Sequence, residues 1–275
     1  MTDYFRPLVQ IGPARPDTAV SLAGGWGWFT HAEVLSRSTP PRVVPAADIP
    51  ASVMARLTAP RPAMAGLTLD RPRIMGILNT TPDSFSDGGQ HNAVPDALRV
   101  AQEMVAAGAD ILDIGGESTR PGADFVPVSE EITRTAPVIA ALRGAGLHTP
   151  ISIDTRKAAV AEAAVSAGAN LVNDVSGFTF DPALGPLCQK LALPVCVMHA
   201  QGDPATMHLD PQYDNVLLDV FDALERQISM LEASGIPRGA ILADPGIGFG
   251  KTQDHNLALL ARLSLFHVLG TPILL

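Results

Sequence analysis

Ile74-Met-Gly-Ile-Leu-Asn-Thr-Thr-Pro-Asp-Ser-Phe-Ser-Asp-Gly-Gly89 and Asp110-Ile-Leu-Asp-Ile-Gly-Gly-Glu-Ser-Thr-Arg-Pro-Gly122 decide the fold. Each opens as a short apolar run and breaks into polar, Gly- and Pro-rich sequence. An apolar run of this length, bounded by turn residues, predicts a buried strand. Hydrogen-bonding side chains follow directly: Asn79, Thr80, Asp83 and Ser84 in the first stretch, Glu117, Ser118, Thr119 and Arg120 in the second. Polar groups clustered where a buried strand emerges mark the active face of an α/β protein.

Outward from these two stretches, strand and helix signals alternate from Arg73 onward. Strands are expected at 73–78, 110–114, 150–154, 170–174, 194–198, 240–244 and 272–275, with helices at 93–107, 129–144, 157–167, 181–191, 211–234 and 254–263. This alternation predicts a parallel sheet with crossover helices. Ala107-Gly-Ala-Asp-Ile-Leu-Asp-Ile-Gly115 and Ala167-Gly-Ala-Asn-Leu-Val-Asn-Asp-Val175 repeat one pattern: helix end, glycine cap, buried strand, terminal carboxylate or carboxamide. Repeated units whose strands all end in functional groups favour an α/β (β/α)8 TIM barrel over a doubly wound sheet, because in a barrel all strand ends face one site. About seven strands are found, and the chain stops at Pro272-Ile-Leu-Leu275. The expectation is therefore a barrel incomplete at its C-terminal end, and a chain that is a piece of a longer one.

Residues 1–70 differ from the barrel domain expected over 71–275. They are dense in proline and hold both tryptophans in Gly24-Gly-Trp-Gly-Trp-Phe29. They are expected to form a partly ordered N-terminal extension that packs its aromatics on the barrel; a lid or an oligomer contact is the sharper alternative.

Composition narrows the classes. A hydrophobic content of 47% with 17% charged residues suits strands buried on both faces. The formal net charge of −9 argues against a nucleic-acid partner, which positive charge would attract. No run is long and apolar enough to span a membrane, and the start lacks a signal-peptide pattern. Cys188 and Cys196 lack metal-ligand spacing and read as buried free thiols of a reducing, cytoplasmic compartment.

The residues at the strand ends are Asn79, Asp113, Thr119 and Arg120, Asp154, Asn173 and Asp174, Met198 and His199, and Asp244. Most are carboxylates or carboxamides, which pair with the amino and ring N–H edges of a flat nitrogen heterocycle, while Met198 and Phe249 supply apolar faces. Capping or turn roles are the plainer reading for Asp154 and Asp174, though five strand ends in succession are hard to assign to capping alone. Asp244-Pro-Gly-Ile-Gly-Phe-Gly-Lys-Thr252 is not a phosphate loop, because proline stands at 245 where that pattern needs glycine. Lys251 there either meets an anion or is solvated, the second being the more common fate. The histidines form no paired-ligand spacing; His199 either faces the site or is structural. An oxygen-rich site containing Asn79 would accept Mg2+ carried in by a diphosphate.

Leu78-Asn-Thr-Thr-Pro-Asp-Ser-Phe-Ser-Asp-Gly-Gly89, Asp113-Ile-Gly-Gly-Glu-Ser-Thr-Arg-Pro-Gly122, Ile153-Asp-Thr155, Val172-Asn-Asp-Val-Ser-Gly177, Val197-Met-His199 and Asp244-Pro-Gly-Ile-Gly-Phe-Gly-Lys251 together resemble the dihydropteroate synthase family, from about residue 73 to the end. The resemblance implies a transferase of folate biosynthesis that condenses 6-hydroxymethyl-7,8-dihydropterin diphosphate with p-aminobenzoate and releases diphosphate. It implies that Asp154, Asn173, Met198, Asp244 and Phe249 bind pterin and that Asn79 contacts Mg2+ and diphosphate. Thr119 and Arg120 on one loop, and Phe85 and Asp87 on the other, are implied to serve p-aminobenzoate, diphosphate and catalysis. It also implies a homodimer. Family members continue into segments that add a lysine and an Arg/His pair, so this chain alone is expected to have low or no activity. The alternatives are a pterin-binding methyltransferase domain, against which the Glu117-Ser-Thr-Arg-Pro loop weighs, and a noncatalytic pterin-binding paralogue.

Overall fold

A computed structural model describes residues 3–81, 93–118, 125–202 and 210–275 of the chain. Phe85, Asp87, Thr119 and Arg120 lie outside the described residues. Six parallel strands form the central sheet: β6 (Met75–Asn79), β7 (Ile111–Gly115), β8 (Ile151–Asp154), β9 (Leu171–Asp174), β10 (Val195–Met198) and β11 (Ile241–Asp244). They are ordered as they occur in sequence, each hydrogen-bonded to the next. Sequential parallel neighbours with helical crossovers are the construction of a (β/α) barrel. The crossovers are α2 (Ala93–Ala106), α3 (Val128–Gly144), α4 (Ala158–Ala167), α5 (Leu184–Lys190) and α6 (Val216–Ala233), with α7 (Gln253–Ala261) after β11.

Local chemistry sets these boundaries. Gly168 ends α4 at φ +117°, a left-handed conformation that a side chain would oppose. The Asn215 side chain caps α6 by accepting from Leu218 N at 3.2 Å. Thr252 and His255 exchange bonds in a capping box that opens α7.

The expected strand at 272–275 contributes a single parallel bridge between Ile273 and Ala243. Ala243 N donates to Pro272 O, and Leu274 N donates to Ala243 O, both at 3.0 Å. Pro272 has no N–H with which to extend the ladder.

Two hydrophobic clusters follow from the two-residue alternation of the strands. Leu112, Ile114, Ile151, Ile153 and Val172 face the helices in one large core. Ile111, Leu171, Cys196 and Leu242, with Met64, form a smaller cluster inside the barrel near the strand starts. An apolar cavity of about 430 Å³ opens below it, lined in part by Met64, Leu67, Met75 and Leu275. The inward strand residues at that end are apolar, though Arg61, Asp70, Arg71, Arg73 and His267 also line the cavity; the polar inward side chains gather at the other end.

The N-terminal segment is ordered further than its composition predicted. Strands β1 (Tyr4–Pro7), β4 (His31–Leu35) and β5 (Arg42–Pro45) form an antiparallel sheet, β2 (Val20–Ser21) and β3 (Trp28–Phe29) a second pair, and α1 (Ala51–Thr58) a helix. Short strands that end on proline leave little periodicity to read. Trp28 and Phe29 are buried as expected, whereas Trp26 is 68% exposed. The sheet is tied to α6: Tyr4 Oη donates to both carboxylate oxygens of Asp222 (3.0 and 2.9 Å), and Arg37 pairs with Asp219 and Asp222. Ser264 Oγ donates to Pro7 O at 2.9 Å.

Candidate functional site

Strand register decides which side chains share the barrel mouth. Asp113 stands opposite Ser152, Gly115 opposite Asp154, Asp154 opposite Asn173, Asn173 opposite Cys196, and Met198 opposite Asp244. Leu112, Ile151, Ile153 and Val172 point outward, so these alternate residues point inward. Four of the five sequence-predicted pterin residues (Asp154, Asn173, Met198 and Asp244) thus lie on four consecutive strands and face one space. Phe249, the fifth, is half-buried in the turn after β11.

Asn79 joins them across Gly115. A Cβ placed on Gly115 would lie 3.5 Å from Asn79 Oδ1 and equally 3.5 Å from Asp154 Oδ2. Those are ordinary contact distances, so a side chain longer than a methyl group would enter the space these two oxygens border. Among the described residues no group of three or more His, Cys, Asp or Glu could hold a metal. The donor set is a lone carboxamide beside a carboxylate, which fits a hydrated Mg2+ that keeps waters and takes substrate oxygens, not a caged ion.

Asn173 Nδ2 donates to Asp113 Oδ2 at 3.0 Å, while Asp113 Oδ1 and Ser152 Oγ are buried without a protein partner. Burial raises the Asp113 pKa against the nearby Ser152 and Asn173. Burial, then the charges of Asp113, Asp174, Glu131 and Glu117, push Asp154 well above the usual carboxylate range. Burial lifts Asp244 to about 6, opposed by the Gly246 N–H and Lys251. None of the ion pairs among the described residues includes Asp113, Asp154 or Asp244. Desolvated acceptors of this kind are costly until a donor-rich ligand satisfies them.

Asp174 separates from this set. Its carboxylate accepts from Ser176 N and Ser176 Oγ (2.7 and 2.6 Å) and from Phe178 N (2.8 Å), so it fixes the turn after β9. The turn reading, not helix capping, holds for Asp174; among the described residues no such bond engages Asp154. Asp181, from the loop after β9, supplies the cap of α4 by accepting from Ala158 N at 2.8 Å.

Lys251 neither meets an anion nor is solvated; it is 8% exposed. Its ammonium donates toward Gly246 O (2.8 Å), Phe249 O (2.9 Å), His199 O (3.2 Å) and His199 Nδ1 (3.0 Å). The glycine-rich turn therefore wraps its own lysine and ties Phe249 to the end of β10. Burial and Lys251 press His199 to about 3, so the ring is neutral and accepts at Nδ1. The structural reading of His199 is the one the geometry supports. Burial also lowers Lys251 to about 7, with Asp244 opposing.

Sequence reasoning placed Asp113 among the strand-end carboxylates but gave no site role to Ser152 or Cys196, which form the floor beneath Asp154 and Asn173. The signal was available in strand parity: once Asn173 faces inward, its register partners do too.

Comparison with known proteins gives a consistent family. The family described as "Pterin binding enzyme" matches residues 75–275. The dihydropteroate synthase of Escherichia coli (strain K12) is 46% identical over 198 residues, covering 72% of this chain and 70% of that protein. A probable bifunctional folylpolyglutamate synthase/dihydropteroate synthase of Haloferax volcanii is 50% identical over 198 residues, of which this chain spans only 23% of the length. The structure of Xanthomonas albilineans dihydropteroate synthase with 4-aminobenzoic acid superposes with a TM-score of 0.71 at 47% identity, covering 76% of this chain and 74% of that one.

Proposed function

The chain belongs to the pterin-binding enzymes, within them to the dihydropteroate synthase family, and from that premise we propose that its barrel mouth binds 6-hydroxymethyl-7,8-dihydropterin diphosphate for condensation with p-aminobenzoate. The observation that carries this reading is the inward row Asp113, Asp154, Asn173 and Asp244, rich in desolvated acceptors and, among the described residues, free of ion pairs. Asp154 and Asp244 accept from the amino and ring N–H groups of the pterin, and Asn173, held by Asp113, presents its carboxamide oxygen. Met198 and Phe249 cover the ring faces. Charge-assisted bonds inside a dry pocket discriminate strongly against rings that lack the donors.

Asn79, at the end of β6, would hold Mg2+ through its carboxamide oxygen, and the ion would neutralise charge on the departing diphosphate. As diphosphate leaves, positive charge develops on the pterin, and the surrounding carboxylates stabilise it without a protein nucleophile. Thr119 and Arg120, with Phe85 and Asp87, are assigned by family resemblance to the p-aminobenzoate and diphosphate end. Exclusion of water there protects the cation from hydrolysis.

The family also motivates a homodimer, read by analytical ultracentrifugation, and a cytoplasmic location, which the buried free thiols Cys188 and Cys196 favour. No helix among the described residues is long and apolar enough to cross a membrane. Isothermal titration of the chain with the pterin diphosphate and Mg2+ tests the central reading. Binding that weakens at least tenfold in Asp154→Asn supports it. A folded chain that gives no binding heat rejects it.

A further inference from the structure

Behind Asp154, on the outer side of the barrel wall, lies a closed set of buried charges that the pterin reading does not use. Glu131 on α3 is fully buried, and Thr155 and Lys157 are each 3% exposed. Thr155 Oγ1 donates to Glu131 Oε1 at 2.7 Å, and Lys157 Nζ donates to Glu131 Oε2 at 2.6 Å. Lys157 also donates to Val126 O at 2.6 Å and lies 3.1 Å from Glu117 Oε1. Glu117 in turn holds Arg156 Nε at 2.9 Å, with the guanidinium stacked 4.1 Å from the Phe180 ring centroid. Both oxygens of Glu131 are thereby engaged.

We propose that Glu131 is a positioning residue for Asp154, acting through Thr155 from outside the barrel. This rests on the pterin reading above. The peptide after Asp154 is gripped from two sides: Thr155 N donates to Asn173 O at 2.9 Å, and the Thr155 hydroxyl is held by Glu131. With Thr155 turned outward and fixed, Asp154 is turned inward and fixed. Deeper turns of α3 meet the sheet with Val138, Ile139 and Leu142, so apolar packing is available to this interface. At the level of the strand end it is replaced by a desolvated ion pair, an arrangement seldom chosen for stability alone. Gly116 permits the approach, since a Cβ there would come within 2.7 Å of Thr135 Cγ2 and 3.0 Å of Glu131 Cγ.

The test is titration of the full chain with the same pterin diphosphate and Mg2+, using Glu131→Ala, Glu131→Gln and Thr155→Val, well below each variant's Tm. Thr155→Val replaces the hydroxyl by a methyl group, which also removes the acceptor of Lys157 N at 3.2 Å, and leaves the Glu131–Lys157 pair in place. Expected is about a tenfold loss of affinity in Glu131→Ala and in Thr155→Val, with recovery to within about threefold in Glu131→Gln, whose amide oxygen still accepts from Thr155. If Glu131→Ala does not fold, the other two variants decide. Affinity within about twofold of wild type in folded Thr155→Val overturns the inference, whatever its Tm. Failure of the wild-type chain to bind overturns the pterin reading and this inference together.

Discussion

Asp154 and Lys157 are three residues apart, yet they live in opposite electrostatic worlds. Asp154 faces the barrel mouth among Asp113, Asn173 and Asp244, desolvated and, among the described residues, without an ion pair. Lys157 faces the wall, where Glu131, Glu117 and Val126 O surround its ammonium. Both regions bury charge at the same level of the barrel. The wall satisfies its charges internally, and the mouth leaves its acceptors for a ligand. Unmet polar demand, not burial of charge as such, is what distinguishes a site from scaffold here.

Four perturbations bear on that contrast. Lys157→Ala should be the most damaging to the fold, costing ~3–5 kcal/mol because Glu131 remains buried without its cation, while Glu117 keeps only Arg156; denaturant unfolding reads it, and a loss under ~1 kcal/mol would erase the distinction between wall and mouth. Lys251→Met should cost ~2–3 kcal/mol, since three carbonyls and the His199 lone pair lose their donor. It should also weaken pterin binding through Phe249, as titration would detect.

Asp244→Asn should act in the opposite sense on stability. The folded pKa of Asp244, about 6, lies above the ordinary 3.8. Its favourable contribution is thus complete below pH ~4 and is lost as pH rises through about 6. At pH ~7.5 the ligand-free variant should therefore melt about 2–4 °C higher than wild type while binding pterin less well, and its advantage should vanish near pH ~4. A lower Tm for the variant at both pH values would contradict the reading of an unsatisfied mouth. Glu103→Ala, which removes the exposed Arg99–Glu103 pair on α2, sets the baseline at under ~0.5 kcal/mol.

Much of this was legible in the chain. The six strand starts and ends fall within one or two residues of their apolar runs, because the strands other than the partly exposed β6 are buried on both faces and announce themselves as continuous hydrophobic segments. The inward row was legible as polar residues at strand ends. The split between Asp154 and Asp174 was not, since both end their strands in similar local sequence and only the register shows that Asp174 faces away. Lys251 was misread because its partners are main-chain carbonyls, which no residue type reveals. The N-terminal sheet escaped notice for a related reason: its strands are too short and proline-bounded for periodicity, and its partners lie on α6 and in the 3-10 segment Leu263–Leu269.

Those last contacts set an order of events during synthesis. Tyr4 meets Asp222 across 218 residues, and Ser264 reaches Pro7 across 257. At roughly 5–20 residues per second, the ribosome would need on the order of ten seconds or more to make the segment that receives β1. β1 is thus made long before the segments that anchor it, and Tyr4, Phe5 and Phe29, which end up buried, must wait for their cover. Nascent chains of this protein should hold Tyr4, Phe5 and Phe29 open to chaperones until Leu263–Leu269 leaves the exit tunnel, when closure should follow.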